Sequence, residues 1–346
     1  MRVTQREDLE RAERERLSPD ATFADASRGR RTPEPADPLR TCFQCDRDRI
    51  LHSKSFRRLA HKTQVFLAPE GDHYRTRLIH TLEVAQVARS IARPLGLNED
   101  LTEAIALGHD LGHTPFGHVG ERALSYAIAR HRGLDPDAPS SRRLFSHSEQ
   151  GARIVELLER DGCGLNLTRE VVDGIRSHSG GARALTPEGR IVALSDRIAY
   201  VCHDIDDAER AGLLRESDLP QAPCDILGRS SSERIERMVR DVVTMSSAAG
   251  DVKMSAPLWG AMMSLRSFLF RNLYSRGDAK CEEPKAYELL VGLFEHFVTH
   301  LDEVPSEYRI HDGDAPDVQA ADFVAGMTDR YAVRVFEDLM IPRSWR

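Results

Sequence analysis

From Arg47 onward, apolar residues recur at helical spacing almost without interruption, and no stretch alternates as a half-buried strand must. Leu78, Leu82 and Ala85 share one such register, and His80, Val84, Val87 and Ile91 share a second. Pro94 and Gly96 end that helix, and Asn98 caps the next, with Glu99 and Asp100 favourably placed in its first turn. The second helix carries Leu101, Ile105 and His109 on one face and stops near Gly112. The same periodicity predicts helices over about 147–160, 169–178, 188–207, 231–247, 256–275, 285–301 and 317–340. Loops rich in Gly, Pro or Ser fall near 131–141, 179–188, 217–230 and 302–316. The expected fold class is all-α.

Two regions differ in character. Residues 1–40 are dense in Arg, Glu and Asp, and then in Pro, so they bury little apolar surface and read as a mobile arm or as an arm packed on another subunit. Residues 41–346 read as one helical domain whose C-terminal half is extended. With 346 residues and 40% hydrophobic content, a sizeable core is within reach. No apolar run reaches membrane-spanning length and no secretory signal is visible, so the cytoplasm is the expected setting. Six cysteines with a single C-x-x-C, Cys42 and Cys45, read as reduced thiols rather than a zinc site. A net charge of −7 excludes a surface built throughout to grip nucleic acid, although a local basic groove is compatible with it.

Three segments carry metal-binding chemistry. His80 lies on an amphipathic helix, His109 and Asp110 are adjacent at the end of the next, and Asp196 lies on a later helix. Two imidazoles and two carboxylates suit Mn²⁺, Fe²⁺, Mg²⁺ or Zn²⁺ with positions left open for water and phosphate, Mn²⁺ or Mg²⁺ being favoured. Each residue alone has a plainer explanation. A lone His on an apolar face is as a rule a hydrogen-bonded core residue, and His203-Asp204 is a second His-Asp pair in this chain. What separates the first pair is its surroundings, His109-Asp110-Leu111-Gly112-His113-Thr114-Pro115-Phe116-Gly117-His118. Three histidines and an aspartate punctuated by Gly and Pro describe a turn aimed at a ligand better than a core helix. The four ligands are expected to converge on one ion.

This pattern, H…HD…D with HDLGHTPFGH, resembles the HD-domain deoxynucleoside triphosphate triphosphohydrolases, the bacterial dGTPase-like proteins. Ser55-Phe56-Arg57-Arg58-Leu59 with Lys62-Thr63-Gln64-Val65-Phe66 is similar to that family's FRRL…KTQVF block, Arg77-Leu78-Ile79-His80 to its R-x-x-H, Asp196-Arg197-Ile198-Ala199-Tyr200 to its D-[DR]-I-A-Y, and Gly326-Met327-Thr328-Asp329-Arg330-Tyr331 to its GMTDR block. The resemblance implies an HD-domain helical fold and hydrolysis of dNTPs to deoxynucleoside and inorganic triphosphate at the α-phosphorus. It implies that His118 and Glu121 are the catalytic pair, three apart on one helix face, and that His113 is a further active-site histidine. It implies phosphate contacts for Arg77 and Arg197, a phosphate or sugar contact for Tyr200, and reading of the 3′-hydroxyl by Gln64 and Asp204. Tyr200 and Asp204 fall one and two turns after Asp196, on its helix face. His147 and Glu149 resemble a further family segment with a surface helix start as the alternative, and His178 resembles an HSG turn.

Members of that family form homo-oligomers, so a homo-oligomer is expected. Two other readings stay open. An HD-type 5′-nucleotidase or phosphodiesterase would use the same ligands without needing the FRRL-x-x-KTQVF block. A nucleic-acid-binding protein that keeps the HD fold would draw on Arg30, Arg31, Arg40, Arg47, Arg49, Arg57 and Arg58, with single-stranded nucleic acid as partner.

Overall fold

The computed structural model describes residues 3–64, 75–272, 279–311 and 313–342. Among the described residues there are fifteen α-helices and no extended strand; isolated bridges pair Arg30 with Thr168 and Thr63 with Thr76. The all-α expectation is met. No helix among them is long and apolar enough to cross a membrane. Val65 and Phe66 of the KTQVF block, and residues 273–275 of the expected 256–275 helix, lie outside the described residues.

The chain divides into two compact units, each discontinuous in sequence. The first takes Met1–His52, Ile79–His109 and Asn166–Gly277. Its core includes Val84, Val87 and Ile91 from the helix Arg77–Ala92, Leu101 and Ile105 from Glu99–Gly108, and Ile191 and Ile198 from Pro187–Arg210. Asn98 caps the second of these as the sequence predicts, its side chain accepting from the Leu101 N–H at 3.2 Å.

The N-terminal forty residues belong to this unit, and polar contacts tie them down along with the burial of Ala21 and Ala24. Residues Arg6–Arg16 form a helix whose Glu13 accepts from the Ala24 N–H at 2.8 Å. Buried Glu188 accepts from the Thr22 N–H at 3.0 Å, the Thr22 hydroxyl at 2.8 Å and the Asn98 N–H at 3.1 Å. Arg30 pairs with Asp46, which also accepts from the Thr168 N–H at 2.8 Å. Polar composition argued for an arm with nothing to bury; buried carboxylates elsewhere in the unit give it partners instead.

The second unit takes Ser53–Leu78, Asp110–Leu165 and Asp278–Arg346. Its core gathers Phe116, Leu124 and Ile128 with Leu290, Phe294, Phe297, Phe323 and Val324. The helix expected over 147–160 runs Pro-free from His147 to Arg153 and then widens into a π-turn over Ile154–Leu158. The helix expected over 317–340 is two, Pro316–Gly326 and Asp329–Met340. Thr328 breaks it, because its side chain accepts from the Tyr331 N–H and caps a new start. In the first unit a short helix, Gln221–Leu227, occupies part of the expected 217–230 loop.

Candidate active site

Within the first unit, His80, His109 and Asp196 meet. His80 is buried on the helix Arg77–Ala92, and its Nε2 lies 3.1 Å from Asp196 Oδ1. His109 is fully buried just past the end of Glu99–Gly108, with Nε2 3.8 Å from the same oxygen. His109 Nδ1 lies 2.6 Å from the Ala106 carbonyl. A carbonyl there accepts the Nδ1 proton and leaves the Nε2 lone pair for a cation. His178 is held in the same way by the Ile175 carbonyl at 2.7 Å, and its ring stands 5.1 Å from that of His109. Burial works against the charge of Asp196, but the hydrogen bond from His80 and the nearby histidines hold its carboxyl below the usual range. Two imidazole nitrogens that approach one carboxylate oxygen are donors of the kind a divalent ion takes. Asp110 follows His109 directly in the chain and belongs to the second unit.

Tyr200 and Asp204 share the helix of Asp196, and the Tyr200 hydroxyl is bonded to the Asp204 carboxylate. Burial and that neighbouring charge push the hydroxyl above the ordinary tyrosine range. Arg197 does not join them: it is exposed, with its guanidinium 5.8 Å from the centre of the Trp259 ring.

Within the second unit, a second cluster forms around Glu121. His118 opens the helix His118–His131, and its Nδ1 lies 2.7 Å from Glu121 Oε2. The other carboxylate oxygen accepts from the His147 N–H at 2.7 Å and lies 2.6 Å from His147 Nδ1. Ring-nitrogen and carboxylate atoms of His113, His118, Glu121 and His147 all fall within 4.8 Å of one another. His113 stacks on His147 with ring centres 4.0 Å apart, and its Nε2 lies 3.1 Å from Asp110 Oδ1. The other Asp110 oxygen accepts from Arg77 Nη1 at 3.0 Å. Arg77 is therefore buried, not a surface residue. Gln64 lies beside Thr63 in this unit, its Oε1 buried with no hydrogen-bond partner among the described residues.

The electrostatics separate the roles of these groups. Burial, with the charges of Arg77 and His147, holds His113 well below the usual histidine range, so it stays neutral. Burial disfavours the charge of Glu121, but His147 and His118 outweigh it and keep the carboxylate ionised. Burial opposes protonation of His147 too, and Glu121 reverses it, so that histidine is raised. The His118 side chain is 62% exposed, which leaves its ring reachable by a substrate while Glu121 fixes its tautomer. By sequence His147 is equally a site residue and the start of a surface helix. Its partner lies 26 positions away, so no local spacing signals the pair; only the FSHSEQ segment hinted at it.

Lys62 of the KTQVF block is also buried, and its ammonium donates to the His113 carbonyl and, at 2.9 Å, to the Ala325 carbonyl. Burial pushes its pKa down from 10.5 to about 7; Arg58 and Arg77 add to the effect while Asp329 and Asp110 oppose it. Between those two values the unfolded chain holds a proton that the folded chain has released, so this residue makes stability rise with pH across that window. Lys62→Met is expected to remove that rise while lowering stability overall. Melting temperatures of both proteins recorded across the window test it, and parallel curves would sink the assignment.

The HD domain family matches residues 77–201, and the phosphohydrolase-associated domain matches residues 252–338. A protein of Caldanaerobacter subterraneus subsp. tengcongensis named deoxyguanosinetriphosphate triphosphohydrolase-like protein is 50% identical over 341 residues, covering 98% of this chain and 97% of its own. Proteins of the same name from Clostridium perfringens strain 13 and Desulfatibacillum aliphaticivorans are 46% and 43% identical, each over 98% of this chain and over 98% and 99% of their own lengths.

Proposed function

Since the chain belongs to the family of deoxyguanosinetriphosphate triphosphohydrolase-like proteins, we propose that it hydrolyses deoxynucleoside triphosphates to deoxynucleoside and inorganic triphosphate, by attack of water at the α-phosphorus. The observation that carries this reading is the exposed His118 ring with its Nδ1 anchored on Glu121, beside a buried pair of histidines. Such a ring presents Nε2 to a substrate and moves a proton there. In this reading His118 Nε2 gives its proton to the departing 5′-oxygen as water adds to phosphorus and the P–O5′ bond breaks, and the proton that the water loses returns to His118. Glu121 holds the tautomer, and His147 holds Glu121. Arg77 orients Asp110 and retains further guanidinium donors for phosphate oxygens. Gln64 and Asp204 read the 3′-hydroxyl, and Tyr200, with its hydroxyl on Asp204, packs at the sugar. Arg197 on its exposed helix face would meet the outer phosphates.

His80, His109, Asp110 and Asp196 would hold the divalent ion, Mn²⁺ or Mg²⁺. When bound, it supplies positive charge where the phosphoryl group gathers negative charge. Assembly as a homo-oligomer in the cytoplasm belongs to the same reading and is not required by the reaction, whereas single-stranded nucleic acid is the partner in the alternative of a nucleic-acid-binding protein that keeps the HD fold.

Incubation with each dNTP and either cation, followed by chromatography, is expected to yield deoxynucleoside and triphosphate together. Orthophosphate with dNDP would mean attack at the γ-phosphorus and would overturn the proposal. Activity confined to nucleoside monophosphates or cyclic nucleotides would point to the nucleotidase or phosphodiesterase alternative.

A further inference from the structure

The backbone just before His118 is strained. Phe116 has φ +59° and Gly117 has φ +58°, two consecutive left-handed residues of which the first carries a bulky side chain. Such a conformation is unfavourable for a residue with a Cβ and persists only where surrounding structure over-determines it. A side chain at Gly117 would also crowd the buried Arg77 guanidinium. A Cβ would lie 2.6 Å from Arg77 Nη2. Thr114 closes the turn, its hydroxyl donating to the Gly117 carbonyl at 2.7 Å.

What holds the turn from outside comes from the far end of the chain. Asp329 Oδ1 accepts from the Phe116 N–H at 3.1 Å, across 213 positions. Its Oδ2 accepts from the Thr63 N–H at 2.9 Å and from the Thr63 hydroxyl. One carboxylate at the start of the helix Asp329–Met340 thus joins the KTQ segment to the turn that aims His118. Lys62, one residue earlier, does the parallel work at the other end of the turn through the His113 carbonyl. The donors that meet Asp329 are all N–H or O–H groups, so only an acceptor with two free oxygens satisfies them together.

We propose that Asp329 is a positioning residue for turnover, which clamps the Phe116–Gly117 turn and so fixes the direction in which His118 is presented to substrate. The proposal rests on the reading of His118 as the proton-transfer group. A misplacement of about 1 Å at such a group costs up to roughly 100-fold in rate. Asp329→Asn keeps the size but turns one oxygen into a donor facing the Thr63 N–H, which the turn cannot accommodate unshifted.

The test is a double-mutant cycle in the full-length protein: wild type, Asp329→Asn, His118→Ala and both together, with kcat, KM and bound metal measured for each. Asp329→Asn is expected to lower kcat by roughly 10–100-fold with KM and metal content little changed. In the His118→Ala background the same substitution is expected to cost less than about threefold, because a positioning effect vanishes with the group it positions. Equal losses in both backgrounds, or full activity of the single variant, would overturn the clamp. An undiminished His118→Ala protein would instead overturn the reading of His118. If Asp329→Asn fails to fold, Thr63→Val removes one of the same three contacts. It should then show a smaller kcat loss with the same dependence on His118, and an additive loss would refute the proposal.

Discussion

Asp110→Ala is expected to abolish both divalent-metal binding and turnover, whereas His118→Ala is expected to retain the metal and lose turnover by roughly 10²–10⁴-fold. The two residues lie in one short segment, yet their surroundings separate them. Asp110 is buried between Arg77 and His113, with both oxygens already engaged. A carboxylate so enclosed orients its neighbours; because it is a proposed ligand, its loss would empty the cation site, and it would leave the Arg77 guanidinium buried without a counter-charge. His118 is exposed and touches Glu121. Its removal leaves the cation site intact and deletes only a proton-transfer group, so KM should move less than kcat. Metal content by elemental analysis and steady-state kinetics on both variants decide the matter. Retained metal and activity in Asp110→Ala, or lost metal in His118→Ala, would exchange the roles and defeat the assignment.

Gly112→Ala is expected to cost at least the upper end of the roughly 1–3 kcal/mol typical of overpacking, and to remove most activity. A Cβ at this position would lie 2.0 Å from the His147 carbonyl oxygen, 2.2 Å from the Gly151 nitrogen and 2.8 Å from the Gln150 carbonyl carbon. Those neighbours are backbone atoms of the helix His147–Arg153, which cannot swing aside as a side-chain tip can. The helix must retreat, and His147 leaves Glu121 with it. Gly260→Ala is the matched control. It lies within the helix Ala256–Asn272 with open space around it, so alanine there should be neutral or stabilise by up to about 1 kcal/mol. Denaturant unfolding of both variants, read with activity, checks the pair. A Gly112→Ala protein as stable as wild type would show that the approach of the two segments can relax.

Much of the site was legible before any coordinates. Periodicity near 3.6 places the apolar face of each helix, and hence puts His80 and His109 on buried surfaces, because burial of that face is what forms the helix. The crowding of His, Asp, Gly and Pro between His109 and His118 marks a turn with polar work to do. The three-residue step from His118 to Glu121 puts both on one side of a helix, and the 2.7 Å contact follows. These features depend on neighbours in sequence, so a single chain displays them.

Tertiary structure decided which polar group answers which. Periodicity could not reveal that Glu121 also takes His147, that Asp329 holds Phe116, or that the N-terminal segment ends on Glu188, Glu170 and Asp46. Nor could it show that Arg197, one position from Asp196, turns outward over Trp259 while Arg77 turns inward to Asp110. An apolar stripe needs only to be covered, and many partners serve. A buried carboxylate or amide needs a particular donor or acceptor at hydrogen-bond distance, and that partner is brought by a segment distant in the sequence, 26 positions away for Glu121 and His147 and 213 for Asp329 and Phe116.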